Sequence, residues 1–531
     1  MSMDVQLDGM TCAGCEGHVR TALERADIQV LQIDWRSGQV AVSDTTSAAL
    51  RDALAGTQYT PHDPQSPGDG GSYEYDLAII GSGGGAFAAA IAARDRHLRV
   101  VVIERATVGG TCVNVGCIPS KALLAAAEAR HLAGQDRFPG IRTDAGPVDL
   151  RALVASKDEL VGEMRQGKYL DIADEYGFEL LQGDATFVPG PALQVAGRRI
   201  EAAQYLVATG AHPYLPPIDG LVDSGYLTST TAMELQELPR SMVVIGGGYV
   251  AMEQAQLFAH LGTKVTMLVR STLAPAEEPE VRDLLRTAFR AQGITVIEGI
   301  VPDRVQRDGA QTSVQADGTD FRAEHLLVAT GRQPTTAGLS LDAAGVEIAD
   351  DGRLLVDDEL RTSNPRVWGA GDVTGHPQYV YVAARHGGTV VANAFDDARS
   401  KVDYRALPRI TFTTPTVASA GLTEAQALAA GHTCDCRVLD LEHVPRAQVS
   451  RNTQGLVKLV ADAETGLLLG ASIVGDGAGD VILAATLAIE HGLTAQQLGS
   501  GWNPYLTLGE GLYLAAKSFT RDPSKLSCCA A

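Results

Sequence analysis

The sequence predicts an α/β protein of several domains: two nucleotide-binding units on parallel strands, a C-terminal α+β domain, and a small module in front. Three observations carry this. A strand, a glycine turn and a small-residue helix follow one another twice, from Asp76 to Ala93 and from Met242 to Leu261. The pattern stops after about residue 405, where strands and helices mix. The stretch 61–71, rich in Pro and Gly with nothing that packs, reads as a flexible tether and sets the first residues apart.

A chain of 531 residues is too long for one core, and about three or four domains are expected. Hydrophobic content of 45% and charged content of 20% are ordinary for a globular protein. A net charge of −21 with no basic cluster argues against a nucleic-acid surface. No apolar run is long enough to span a bilayer, and Met1-Ser2-Met3-Asp4-Val5 starts no signal peptide, so no membrane insertion and a cytoplasmic location are expected. In a reducing compartment the 8 cysteines read as catalytic or metal-binding.

In chain order, Val5–Leu7 reads as a strand and Cys15–Arg25 as a helix with Val19 and Leu23 on one face. Ile28–Asp34 with Gln39–Ser43 reads as a hairpin, and Ala48–Ala55 as a second helix. The first glycine unit runs Asp76–Ile80, then Gly81-Ser82-Gly83-Gly84-Gly85-Ala86, a helix through Ala93 and a strand Val100–Glu104. The second runs Val243–Ile245, then Gly246-Gly247-Gly248-Tyr249-Val250-Ala251, a helix to Leu261 and a strand Lys264–Arg270. Gly81 and Gly246 make the tight turn, and Gly83 and Gly248 let backbone approach a pyrophosphate. Ala86 and Ala251 let helix and strand pack closely. The helix N-terminus offers N–H groups to phosphate. Glu104, ending the first unit's second strand, suits ribose hydroxyls, as FAD requires. Arg270 stands at the matching place in the second unit and suits a 2′-phosphate, favouring NADPH over NADH.

Gly110-Thr111-Cys112-Val113-Asn114-Val115-Gly116-Cys117-Ile118-Pro119-Ser120-Lys121 is the most specific motif. Cysteines so spaced near the start of a helix through Leu123 and Ala127 are expected on adjacent turns, where the helix N-terminus favours thiolate. The motif resembles the redox-active segment of the flavin-dependent pyridine-nucleotide disulfide oxidoreductases, and the resemblance extends from Tyr73 to Ala531. Ala208-Thr209-Gly210, Ala329-Thr330-Gly331-Arg332 and Gly369-Ala370-Gly371-Asp372 match the family's domain-closing and second flavin motifs.

The resemblance implies two Rossmann-like FAD- and NAD(P)-binding domains and a C-terminal α+β dimerisation domain. The expected boundaries are 74–215 and 336–404 for the FAD domain, 216–335 for the NADPH domain and 405–531 for dimerisation. It implies that Cys117 lies against the flavin as a charge-transfer thiolate and that Cys112 is the exchanging thiol. Lys121 would pair with Glu253 near the reactive flavin nitrogen, and Asp372 would meet the ribityl chain. It adds Gly110, Thr111, Ala185 and Val380 to the cofactor-binding residues.

One departure narrows the substrate. Members that split disulfides carry His-Pro and a downstream Glu near the end. Here the stretch is Asn503-Pro504-Tyr505-Leu506-Thr507-Leu508-Gly509-Glu510, with Tyr505 where the His would fall. A tyrosine titrating near ~10 cannot serve as the neutral-pH proton shuttle of that chemistry. The Cys528-Cys529 tail is similar to that of the mercury-reducing members, as are Tyr169 and Tyr505 as inner-site tyrosines. A thiol pair on a terminus suits capture of a soft cation. Gly9-Met10-Thr11-Cys12-Ala13-Gly14-Cys15 resembles the loop of heavy-metal-associated domains, which implies a ferredoxin-like βαββαβ fold for 1–60, a linker at 61–73, and Cys12 and Cys15 as exposed metal ligands.

The reading is NADPH-dependent reduction of Hg(II), delivered as small-molecule thiol complexes, with Cys112, Cys117, Cys528 and Cys529 also as metal ligands. A homodimer is expected in which the tail serves the other subunit. A disulfide reductase carrying a metal module, and a soft-metal carrier, are the alternatives. Cys434 and Cys436 alternate on a strand, so both could face one side; surface or core residues are expected, with a metal site as the alternative.

Overall fold

A computed structural model of the chain describes residues 2–10, 13–35, 38–43, 45–57, 59–61 and 73–521. It divides into two units, Met1–Ser72 and Tyr73–Ala531.

In the first unit four strands lie in the order Val30–Asp34, Gln39–Ser43, Ser2–Asp8, Thr60–Pro61, every neighbouring pair antiparallel. Helices Ala13–Glu24 and Ser47–Leu54 complete the βαββαβ order. Val19, Leu23, Val40, Val42, Leu50 and Leu54 form the core, the helical residues recurring at the spacing that makes one apolar stripe. Pro61, expected in the tether, instead pairs with Leu7. Proline fits there because it stands on an edge strand, where a missing N–H costs no ladder bond. Most of the expected tether lies outside the described residues. Cys12 also lies outside them, and Cys15 corrects the expectation of an exposed loop: it sits in the first turn of Ala13–Glu24, 3% exposed, in the core. A thiol is small and apolar enough to pack there.

The second unit begins with a parallel sheet ordered Val367–Gly369, Ala202–Val207, Tyr75–Ile80, Val100–Glu104, Glu179–Gln182. Its strands are apolar on both faces because both are covered, one by helices Gly84–Arg94 and Val380–Phe395 and the other by the antiparallel strands Ala185–Val188 and Ala192–Val195: Leu77, Ile79, Val101 and Val102 are fully buried. Each such Val, Leu or Ile contributes ~1.5–3 kcal/mol. The strand Val367–Gly369 returns from far along the chain to close this domain. Helices Gly84–Arg94 and Val380–Phe395 cross where Gly387 leaves no room for a side chain, since a Cβ there would lie 2.2 Å from the Gly85 carbonyl oxygen.

A second parallel sheet is ordered Thr295–Glu298, Lys264–Val269, Ser241–Ile245, His325–Val328. Each parallel sheet is accompanied by a three-stranded antiparallel meander. After residue 405 the chain builds an antiparallel sheet ordered Pro408–Thr411, Val417–Gly421, Leu468–Val474, Leu456–Asp462, Cys434–Asp440. Helices Ala478–Glu490 and Gly509–Lys517 pack on it. Among the described residues no helix is long and apolar enough to cross a membrane.

Candidate active site

The first glycine turn is held open by backbone, not by side chains. Gly81 has φ 102°, and a Cβ there would lie 2.4 Å from the Ala208 carbonyl oxygen. Gly110 closes on it from the next loop: its Cβ would fall 2.5 Å from the Gly83 Cα. Ala86 is fully buried against the strand. Glu104 accepts from the Ser82 hydroxyl at 2.5 Å and from the Ala106 N–H at 2.8 Å, fixing a carboxylate at the end of its strand. Ser82 Oγ in turn accepts from the Gly109 N–H at 3.1 Å.

The cysteines stand differently from the expectation of adjacent turns on one helix. Cys112 belongs to a short helix, Gly110–Asn114, and Cys117 opens a second, Cys117–Ala133. The break falls at Gly116, where a Cβ would lie 2.9 Å from the Thr111 carbonyl oxygen. Cys117 thereby gains the N-terminus of a 17-residue helix, whose partial positive charge favours thiolate.

Electrostatics separate the two thiols. The hydrogen bond donated by Cys112, and then the Lys121 ammonium, hold the Cys117 thiol below its usual range. That same hydrogen bond, with burial, pushes Cys112 well above it. Lys121 Nζ lies 2.7 Å from Glu253 Oε2 and 4.6 Å from the centre of the Phe412 ring. Glu253 Oε1 accepts from the Phe412 N–H at 2.9 Å. Three domains thus meet at one ion pair.

Tyr169 sits in a π-helical turn, Gln166–Leu170, edge-on to Phe87 at 4.7 Å between centroids. Such turns recur at functional sites because they re-aim a side chain. Burial first, then Cys112 and Cys117, push its phenol above the ordinary value, so the tyrosine is within electrostatic reach of both sulfurs.

Two cavities adjoin here. One, of about 190 Å³, is lined by Gly83, Cys112, Cys117, Lys121, Asp372 and Val380, with Thr111 also on its wall. The other, of about 580 Å³, is lined by Gly246, Gly248 and Arg270. Tyr249 borders both; burial pushes its phenol up to about 12.

The linings fit a flavin and a nicotinamide dinucleotide. Around the second turn, Cβ atoms at Gly246 and Gly247 would lie 2.3 Å from the Ala329 carbonyl oxygen and 2.4 Å from Val269, whereas one at Gly248 would meet nothing within 4 Å. Open space at that one glycine, at the start of the 13-residue helix Tyr249–Leu261, is the cradle a pyrophosphate fills. Asp372 is a partly buried acceptor whose carboxyl is pushed up by desolvation, with Arg332 at 3.8 Å.

This geometry agrees with sequence comparison. The profile of the pyridine nucleotide-disulphide oxidoreductases matches residues 75–387. The chain belongs to this family. The family's dimerisation domain matches residues 407–516. The chain is 56% identical to the mercuric reductase of Streptomyces lividans, over 86% of this chain and 98% of that one. It is 45% identical to the mercuric reductase of Staphylococcus aureus over 100% and 99% of the two chains. Among solved structures, the Cu(II) complex of the HOCl-induced flavoprotein disulfide reductase RclA from Escherichia coli is similar at TM-score 0.77 and 29% identity, over 84% of this chain and 99% of that one. LpdA from Mycobacterium tuberculosis is similar at TM-score 0.76 and 26% identity, over 84% and 99%.

Some expected site residues are not gathered here. Ala185 is 7% exposed and packs in the core beside the first parallel sheet; it is not on the cavity wall. Tyr505 is half-exposed in the C-terminal domain and lines neither cavity. Near it, Glu510 is buried with Oε2 unpartnered, and burial pushes its carboxyl up. Cys528 and Cys529 lie outside the described residues. Sequence reasoning missed Tyr249 as a wall of both cavities and Phe412 as the ring against Lys121. Tyr249 had a signal, its place directly after the second glycine turn; Phe412 opens Phe412-Thr413-Thr414-Pro415, a stretch that resembles the start of the family's dimerisation domain, but nothing in it announced the approach to Lys121.

Proposed function

We propose that the chain reduces Hg(II) to Hg(0) with NADPH, through FAD and the Cys112–Cys117 pair, as a mercury-detoxifying oxidoreductase. The carrying observation is a polarised thiol pair beside Lys121–Glu253 and Tyr169, in a chain with Tyr505 in place of the family's shuttling histidine. The mercuric reductases among its relatives support the same substrate.

FAD and NADPH, when bound, supply the electron pair. Gly81, Gly83, Glu104 and Asp372 would hold the flavin dinucleotide, and Gly246, Gly248, Ala251 and Arg270 the nicotinamide one. Hg(II) arrives in the cytoplasm as a thiolate complex. Cys528 and Cys529 take it by exchanging one Hg–S bond for another, each departing thiol leaving with a proton. The same exchange passes it to Cys117, already poised as thiolate, and to Cys112, which must release its proton as the second Hg–S bond forms. Two electrons convert the dication to a neutral atom, and the thiolates lose their electrostatic hold. In the homodimer the tail of one subunit serves the inner pair of the other, and Tyr505 approaches with it. Cys12 and Cys15 act in delivery.

The test is NADPH oxidation with and without HgCl2 in excess thiol, with volatile mercury trapped. HgCl2-dependent NADPH consumption with stoichiometric Hg(0) is expected; no vapour would end the proposal. Replacing Cys528 and Cys529 with Ala should leave reduction of the flavin by NADPH intact while turnover of thiol-bound Hg(II) collapses.

A further inference from the structure

We propose that Cys434 and Cys436 form a two-coordinate holding site for a soft cation on the outer strand of the C-terminal sheet, apart from the redox site. Neither residue lines either cofactor cavity.

The strand Cys434–Asp440 is an edge strand, paired only with Leu456–Asp462, in the register Cys434↔Asp462 and Cys436↔Val460. Alternation puts the two cysteines on one face and Leu439, 5% exposed, on the other. The cysteine face is half-buried and charged. Lys458, 2% exposed, stands on it with Glu278 at 3.2 Å, Glu280 at 3.0 Å and Glu424 at 2.9 Å. Asp462 is bonded to His432 at 2.9 Å. The Cys436 thiol donates to Glu424, and its sulfur also responds to Cys434 and Lys458, so all four groups are neighbours.

That setting disfavours the bland alternatives. A cysteine used as a small hydrophobe sits among apolar groups, and these sit among carboxylates and an ammonium. A disulfide needs Cβ atoms about 3.8 Å apart, whereas positions i and i+2 of a strand are separated by roughly 6.7 Å. A metal ion closes that gap: two thiolate bonds of about 2.3 Å in line put the sulfurs ~4.6 Å apart, which inward tilt of both side chains reaches. The carboxylates attract the cation, and Lys458 offsets the thiolate charge once it is bound.

The step is ligand exchange without redox change. Two S–H bonds break and two S–metal bonds form. The cation gives up two ligands, and both protons leave with them or to solvent, Glu424 being the first acceptor beside Cys436.

The experiment uses the full chain loaded with FAD, with Cys12, Cys15, Cys112, Cys117, Cys528 and Cys529 replaced by Ala. HgCl2 is added with excess glutathione, and retained metal is read by native mass spectrometry. One mercury per chain, with loss of two protons, is expected. Cys434→Ser with Cys436→Ser should abolish it, and each single change should weaken retention at least tenfold. A Cys434→Ala/Cys436→Ala chain repeats the test should the serine form fold poorly, with flavin content as the folding check. No retained mercury, retention indifferent to the substitutions, or two mercury adducts each keeping a second outside ligand would overturn the proposal. The readout is retention, so its failure is distinct from failure to reduce Hg(II).

Discussion

Removing the charge on Lys121 should move the titration of Cys117 upward, and removing the charge on Glu253 should move it down. The hydrogen bond from Cys112 acts most strongly on that thiol; burial opposes it, Lys121 lowers it further and Glu253 opposes Lys121. An opposite charge within a few ångströms shifts an acid by ~1–3 units. Glu253 lies 2.7 Å from the ammonium and cancels part of its field, which places the Lys121→Met shift near the low end, about one unit. That is roughly tenfold less thiolate at a pH below both titrations. Glu253→Gln keeps an acceptor for the Phe412 N–H and should lower the midpoint by a fraction of a unit. Cys112→Ala should raise it most. Lys121→Met alone strands a carboxylate whose side chain is 5% exposed, at a cost of ~3–5 kcal/mol. The double variant Lys121→Met/Glu253→Gln avoids this and should show a small net rise. The assay is the pH profile of iodoacetamide alkylation at Cys117 in reduced, FAD-loaded protein, followed by peptide mass spectrometry. Shifts of the same sign for the two charge removals, or a smaller shift for Cys112→Ala than for Lys121→Met, would refute the assignment.

Gly246→Ala meets the Ala329 carbonyl oxygen at 2.3 Å and keeps a φ of 138°, so it should lower stability by at least ~1–3 kcal/mol, read by thermal unfolding. Gly248→Ala meets nothing within 4 Å; it should unfold normally while NADPH binding weakens at least tenfold in equilibrium titration. Arg270→Ser should raise the KM for NADPH about tenfold or more with little change for NADH, the ~1.4 kcal/mol of one lost charge-assisted contact. Tyr169→Phe retains the edge-on packing against Phe87, so the melting temperature should hold while Hg(II) turnover falls; an unchanged rate would leave the phenol a packing group.

Local rules made most of the frame legible. The two glycine turns announced their strands and helices to within a residue or two because tight turn, close approach and close packing each require a small residue at a fixed offset. The ion pair Lys121–Glu253 followed from family resemblance and is present at bonding distance. What sequence could not give was set by tertiary contacts. The helix break at Gly116 depends on the Thr111 carbonyl, an approach no periodicity announces. Gly387 depends on a helix nearly 300 positions earlier in the chain. The burial of Cys15 depends on a core assembled from three strands and two helices. Tyr505 stands half-exposed in the C-terminal domain, on the wall of neither cavity.

Lys458 ties the C-terminal sheet to Glu278 and Glu280, which begin the helix Pro279–Ala291 of the second nucleotide domain. Prising those domains apart would break an ion pair whose ammonium and carboxylate are each 2% exposed. The platform that grips the reductant and the scaffold that meets the second subunit are therefore expected to move together. Loosening the association of subunits should be felt, through that knot, as a slacker hold on the nicotinamide.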